Sequence, residues 1–174
     1  MPLTSIETDE SELQIEWVIY APVVRVWETL TTPSYIGEWL GTVVSGSISS
    51  GSSFAIDHGD GYLCESTVVK SQALHALTYS WKFPDEPRTD VTWSLTHHGN
   101  STSLTLTHSG LTDLVSSYRH GWPVHLTFFE GSALGTPLPW SVFWQIHSTI
   151  VYLDAPGRAS ALIDSPGGPE ISNW

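Results

Sequence analysis

The sequence predicts an α+β fold: a curved antiparallel sheet of about six or seven strands wrapped around a long C-terminal helix, with two short helices after strand one. Three observations predict it. One run with the period of a strand is followed at once by two short helical patterns, the middle of the chain breaks into strand-length runs separated by turn residues, and helical spacing returns after Ser109 and Gly110. With 174 residues, 40% of them hydrophobic and nine of them Trp, the chain has enough apolar surface for one packed domain.

Residues 1–12 are acidic and polar and are expected to form a flexible lead. Leu13, Ile15, Trp17 and Ile19 then alternate with more polar neighbours, which predicts the first strand. Pro22 suits a first helical turn, and Val23, Val26, Trp27 and Leu30 recur at helical spacing until Thr31, Thr32 and Pro33 end the run. A second short helix is expected from Pro33 to Leu40, because Tyr35, Ile36, Trp39 and Leu40 share a face and Gly41 is a natural stop.

From Thr42 to His108 the runs are short. Gly46 to Gly51 is rich in Ser and Gly, Phe54, Ile56 and His58 alternate with Ala55 and Asp57, and HGDG at 58–61 signals a hairpin. Strands are expected at 62–69, around Leu77, Tyr79 and Trp81, around Val91, Trp93 and Leu95, and around Leu104, Leu106 and His108, with turns at PDEP (84–87) and HGN (98–100). A short helical turn is expected near 113–119 and a longer helix from about 122 to 133, because Pro123 belongs at a helix start. The domain proper is thus 13–133. Residues 134–153 are an apolar extension with Trp140, Phe143, Trp144, His147, Ile150 and Val151 at helical spacing, although its β-branched residues also suit a strand; 154–174 read as a flexible tail in which Leu162, Ile163 and Trp174 are able to dock.

Charge narrows the function. Six Lys and Arg against 18 Asp and Glu give −12, and the bases are scattered, so nucleic acid and anionic membrane surfaces are not expected partners. Cys64 stands alone, which excludes an intrachain disulfide and a cysteine-based zinc site. The N-terminus has five acids before Trp17, no base and no apolar core, unlike a signal peptide, and no apolar run has the length of a bilayer span; a cytoplasmic location is expected.

Four segments carry a resemblance: APVVRVWETLTTPSYIGEWLG at 21–41, LTYSWKFPDEP at 77–87, VTWSLTHHGNSTSLTLTHSGL at 91–111 and YRHGWPVHL at 118–126. In this order they resemble the activator-of-heat-shock-protein-90-ATPase-like family within the START-like, or birch-pollen-allergen-like, helix-grip superfamily (SRPBCC). The resemblance covers roughly residues 13–133 and implies a cavity between the concave face of the sheet and the long helix, with room for a small apolar ligand. Family members generally end soon after that helix, so the 134–153 extension is a departure that bears on the cavity mouth or on an oligomer contact.

Inward parity on the strands gathers an aromatic wall of Phe54, Tyr79, Trp81 and Trp93, faced by Trp122, Phe128 and Phe129 from the helix. With Ile56, Leu106, His108 and His125, the wall supplies the expected ligand-binding set: Phe54, Ile56, Tyr79, Trp81, Trp93, Leu106, His108, Trp122, His125 and Phe129. His58, His108, Tyr79 and Glu65 are the candidate acid–base groups, with Glu130 a second carboxylate near the same space. His97 and His98 belong to a turn, and Cys64 reads as a buried inert thiol. His120 and His125 lack the i, i+4 spacing of helix-borne metal ligands, and no G-x-S-x-G elbow occurs, so neither a metal nor another cofactor is expected.

The expected function is binding of a small hydrophobic or aromatic molecule in the internal cavity. Two alternatives stand beside it: a cofactor-independent enzyme of cyclase or dehydratase type acting in that cavity, and a co-chaperone-like interaction module, as the family name suggests. Trp140, Phe143 and Trp144 are the leading candidates for the exposed apolar patch of such a module, and equally for a homodimer contact.

Overall fold

The computed structural model describes residues 2–155. Eight strands form one antiparallel sheet: β1 (Leu3–Thr8), β2 (Glu12–Ile19), β3 (Thr42–Gly46), β4 (Ser53–Asp57), β5 (Leu63–Gln72), β6 (Ala76–Trp81), β7 (Thr89–His98) and β8 (Ser101–Ser109), in the order β1-β2-β8-β7-β6-β5-β4-β3. Two short helices, α1 (Val23–Thr31) and α2 (Pro33–Trp39), join β2 to β3, and α3 (Val115–Ala133) and α4 (Phe143–Asp154) follow the sheet. The α+β plan with its long late helix is therefore as expected, and the strand count is slightly higher.

Both added strands lie at the sheet edges. Residues 3–8, expected to be flexible, instead pair with β2 from Leu3↔Trp17 to Thr8↔Leu13, and Leu3 and Ile6 pack against the core. β3 pairs with β4, with Val43 opposite Ile56. Neither strand contains a fully buried residue, so neither shows the clean alternation by which a strand is read.

The two helical segments expected on either side of residue 121 are one helix, and Pro123 sits inside it. An interior proline costs a helix about 3 kcal/mol. Tertiary packing outweighs that cost here, because Trp122, Val124, Leu126, Phe128 and Phe129 of α3 are all buried. Its C-terminal end is capped from α1: the Arg25 guanidinium donates to the Ser132 and Ala133 carbonyls at 2.7 and 3.2 Å.

Between sheet and α3 the core is filled by large rings. Trp39 packs edge-on against Phe129 and Trp93, with centroids 4.9 and 5.7 Å apart, and Trp93 lies near-parallel to Phe129. Each buried indole N–H has a partner: Trp39 donates to the Thr29 carbonyl at 3.0 Å, and Trp93 to the Tyr79 hydroxyl at 2.9 Å.

The extension is helical. Trp140 stacks on Phe128 at 5.1 Å and donates to the Gly37 carbonyl at 3.1 Å, Phe143 meets His125 at 4.9 Å, and Asp154 accepts from Arg119 and His120 of α3. α4 thus lies across α3 as a strap held at both ends. Of the expected tail, residues 156–174 lie outside the described residues. Among the described residues no helix is long and apolar enough to cross a membrane.

Candidate functional site

A cleft opens where the first half of α3 faces the β4–β5 turn and the end of β6. Tyr118, Gly121, Trp122 and His125 follow one another at i, i+3, i+4 and i+7, so one face of α3 supplies its floor. The sheet side brings His58 from the turn after β4, Trp81 and Phe83 from the end of β6, and Glu86 from the loop beyond. α4 and the turn before it add Trp140, Phe143, Trp144 and His147. Two adjoining chambers of about 210 and 540 Å³ result, sharing His58, Phe83, Gly121 and His125. Both volumes are within an order of magnitude of known ligand sites, which run from about 300 to 1,000 Å³.

The polar groups of the cleft are tightly constrained. Tyr118 donates its hydroxyl proton to Glu86 Oε2 at 2.5 Å and accepts the Trp81 indole N–H at 2.8 Å. Burial, and then the bond to Glu86, push the Tyr118 hydroxyl well above its ordinary range. His125 Nδ1 lies 2.7 Å from the Trp39 carbonyl, which can only accept, so Nδ1 carries the proton and Nε2 keeps its lone pair. Burial lowers the His125 pKa to about 4, partly opposed by that bond. His58 is lowered to about 3, chiefly by burial and then by the neighbouring His125, against the pull of Asp57. The two rings stand 6.2 Å apart, and His58 Nε2 is buried without any hydrogen-bond partner.

Of the residues expected to bind a ligand, Trp81, Trp122 and His125 line this cleft, together with His58. Phe54, Ile56, Trp93, Leu106 and Phe129 belong to the core, buried at 3% exposure or less, where the rings between sheet and helix pack against each other. Tyr79 is also buried, and its hydroxyl accepts from Trp93. His108 is fully buried with both ring nitrogens engaged, by Thr89 and by Trp122. Glu65 is exposed and lines a groove with Lys82 and Arg88, apart from the cleft; Glu130 accepts from the Trp17 indole at 3.1 Å. Cys64 is a buried thiol whose pKa burial raises to about 12, as an inert role requires.

Phe83, Glu86, Tyr118, Gly121, Phe143 and His147 were not anticipated as site residues. Two of these, Tyr118 and Gly121, carry a signal in their helical spacing with Trp122 and His125, legible only if the helix is carried through Pro123. Among the described residues no group of three or more His, Cys, Asp or Glu side chains is arranged to hold a metal ion.

An antiparallel sheet gripping a long late helix, with an aromatic cleft along that helix, defines a helix-grip protein. The model of one family, Activator of Hsp90 ATPase homolog 1-like protein, matches residues 20–131. The chain belongs to that family, whose match ends before α4. Among solved structures, CalU16 from Micromonospora echinospora is 25% identical with a TM-score of 0.68, the alignment covering 94% of this chain and 95% of that one. Protein MLL2253 from Mesorhizobium loti is 26% identical at a TM-score of 0.66, covering 73% of this chain and 99% of its own. DynU16, a protein in the dynemicin biosynthetic locus, is 26% identical at a TM-score of 0.67 over 75% of this chain, which spans about half (49%) of the length of DynU16. A comparison with curated proteins gave no match.

Proposed function

We propose that the protein binds a small hydrophobic or aromatic molecule in the cleft between Trp81, Phe83 and α3, under the α4 strap. The observation that carries this reading is His58: a buried polar ring nitrogen without a partner, on a residue shared by two aromatic-walled chambers. Leaving such an atom unpaired costs about 1–3 kcal/mol, which a ligand's polar group would offset. The family membership and the helix-grip plan support the same reading.

The cyclase- or dehydratase-type alternative has less support. An efficient acid or base has its pKa near the working pH. His58 and His125, held at about 3 and 4, are far from it. Both nitrogens of His108 are engaged, and Glu65 is exposed apart from the cleft. The co-chaperone-like alternative rests on the family's name. A homodimer contact stays part of the proposal: of Trp140, Phe143 and Trp144, the first two pack on Phe128 and His125 of α3, which leaves Trp144, 70% exposed, as the residue available for it.

The test is a titration with N-phenyl-1-naphthylamine, followed by energy transfer from tryptophan, beside native mass spectrometry of the purified protein and denaturing extraction of anything retained. Saturable one-site binding is expected. A linear, unsaturable response together with a clean apo mass would overturn the reading.

A further inference from the structure

The geometry points to a ligand of defined charge: a protonated amine on an apolar body, with the Glu86 carboxylate as its counter-charge. This deepens the binding reading and rests on it.

The side-chain donors of the wall are engaged within the protein. The Trp81 indole donates to Tyr118, the Tyr118 hydroxyl to Glu86, the Trp122 indole to His108, the Trp140 indole to the Gly37 carbonyl, the Tyr62 hydroxyl to Asp85, and His125 Nδ1 to the Trp39 carbonyl. Each of these protons is already used inside the protein. What the same groups leave toward the cleft is acceptor capacity: the His125 Nε2 lone pair and the second Glu86 oxygen. His58, neutral at pH 7, adds one further lone pair. Side-chain donors outside this set belong only to His58, Ser117, Trp144 and His147, and Ser117 and Trp144 are exposed.

The charge balance agrees. No Lys or Arg lines either chamber, whereas Glu86 does. Lys82 is the cation beside this wall, but its ammonium is bonded to the Phe83 and Glu86 carbonyls and it lines neither chamber, so a carboxylate or phosphate ligand would sit beside a like charge with no side-chain cation in the lining. An ammonium group finds a carboxylate, imidazole lone pairs and the aromatic lining of Trp81, Phe83 and Trp122. A carboxylate beside aromatic ring surface suits an organic cation better than an anion. The chain's net charge of −12 raises the local concentration of such a ligand further.

The test compares three probes of one shape: 1-naphthylmethylamine, 1-naphthylmethanol and 1-naphthoate, titrated calorimetrically at pH 7. The amine is expected to bind about tenfold more tightly than the alcohol, and the naphthoate more weakly than both. Glu86→Gln, which keeps an acceptor for Tyr118, should bring the amine to within about threefold of the alcohol, the two probes being compared on the same variant. Equal binding of amine and alcohol, or tighter binding of the naphthoate, would overturn the cation assignment and leave the cleft a binding site. An amine preference that survives Glu86→Gln would overturn the role given to Glu86. Binding of none of the three would overturn the binding reading, and the assignment with it.

Discussion

The Trp122 indole N–H donates to Nδ1 of His108 across 3.0 Å, so that nitrogen holds a lone pair and the ring's proton sits on Nε2. Nε2 in turn donates to Thr89 Oγ1 at 2.8 Å, and Thr89 passes its own proton to the Trp81 carbonyl at 3.2 Å. One neutral imidazole thereby ties α3 to the ends of β6, β7 and β8, just behind the cleft. Burial keeps it neutral by lowering its pKa from 6.5 to about 3.

This chain makes stability depend on pH. The unfolded protein protonates His108 near 6.5 and the folded protein only near 3, so between those values the unfolded state holds more protons. The contribution is fully present above 6.5 and declines as pH falls, by about 1.4 kcal/mol per pH unit for each such histidine. His58 and His125 act in the same direction. Urea midpoints measured from pH 7.5 to 4.5 are expected to fall steeply below about 6.5. His108→Gln should cost about 2–4 kcal/mol at pH 7 and flatten that slope by roughly one proton. A slope unchanged by the substitution would contradict the assignment.

Gly46 ends the edge strand β3 at φ +80°, and a Cβ there would lie 1.9 Å from the Ser53 carbonyl oxygen. That oxygen belongs to main chain paired in the sheet, so it cannot move aside cheaply. Gly46→Ala is expected to lower stability by about 1–3 kcal/mol, with faster amide exchange concentrated in β3 and β4. Wild-type exchange in those strands would show the close approach to be relieved without cost.

The parts of the fold legible in the sequence are those with one buried face. Leu13, Ile15, Trp17 and Ile19 alternate because β2 has a core side, and the helical spacing of α1 reflects Val26 and Leu30 turned inward. β1 and β3 escaped because edge strands here bury no residue fully, and the continuous α3 escaped because Pro123 is a strong local stop signal that tertiary packing overrides. The aromatic wall lies between sheet and helix, with Trp81 and Trp122 at the cleft and Phe54, Tyr79, Trp93 and Phe129 in the core. Parity says which side a ring faces, whereas whether neighbouring rings close the space depends on their rotamers, as with Trp39 and Phe129. His58 and His125 could be read as inward, but their meeting at 6.2 Å depends on the long-range pairing of a hairpin turn with a helix face.

Asp154 closes the α4 strap by accepting from Arg119 and, at 2.8 Å, from His120. The bond from Arg119, then that from His120, hold its carboxyl below the usual carboxylate range, so its contribution is present above that range and is lost as pH falls through the depressed value. The carboxylate is 35% exposed, which keeps the global effect small. Asp154→Asn is expected to leave the urea midpoint within about 0.5 kcal/mol of wild type. Amides of residues 143–154 should exchange about tenfold faster, and a bound naphthyl probe should dissociate faster, since Phe143 and His147 ride on the same helix. Unchanged exchange would show that Trp140 and Phe143 alone seat α4.

Gly121 offers the sharpest separation of fold from function. It lines both chambers, lies within α3, and a Cβ built on it meets no atom within 4 Å. Replacing a helical glycine gains up to about 0.5–1 kcal/mol from backbone entropy. Gly121→Phe should therefore fold with a melting temperature equal to or above wild type while its ring occupies the cleft. Naphthyl and phenylnaphthylamine binding are expected to weaken at least tenfold, on the order of 1.4 kcal/mol or more. Gly121→Ala, which adds only the Cβ, should keep binding within about threefold of wild type and gain the stability alone. If Gly121→Phe binds as tightly as wild type, the probes occupy some other surface, and the grooves beside β1 and across the outer face of the sheet become the places to look.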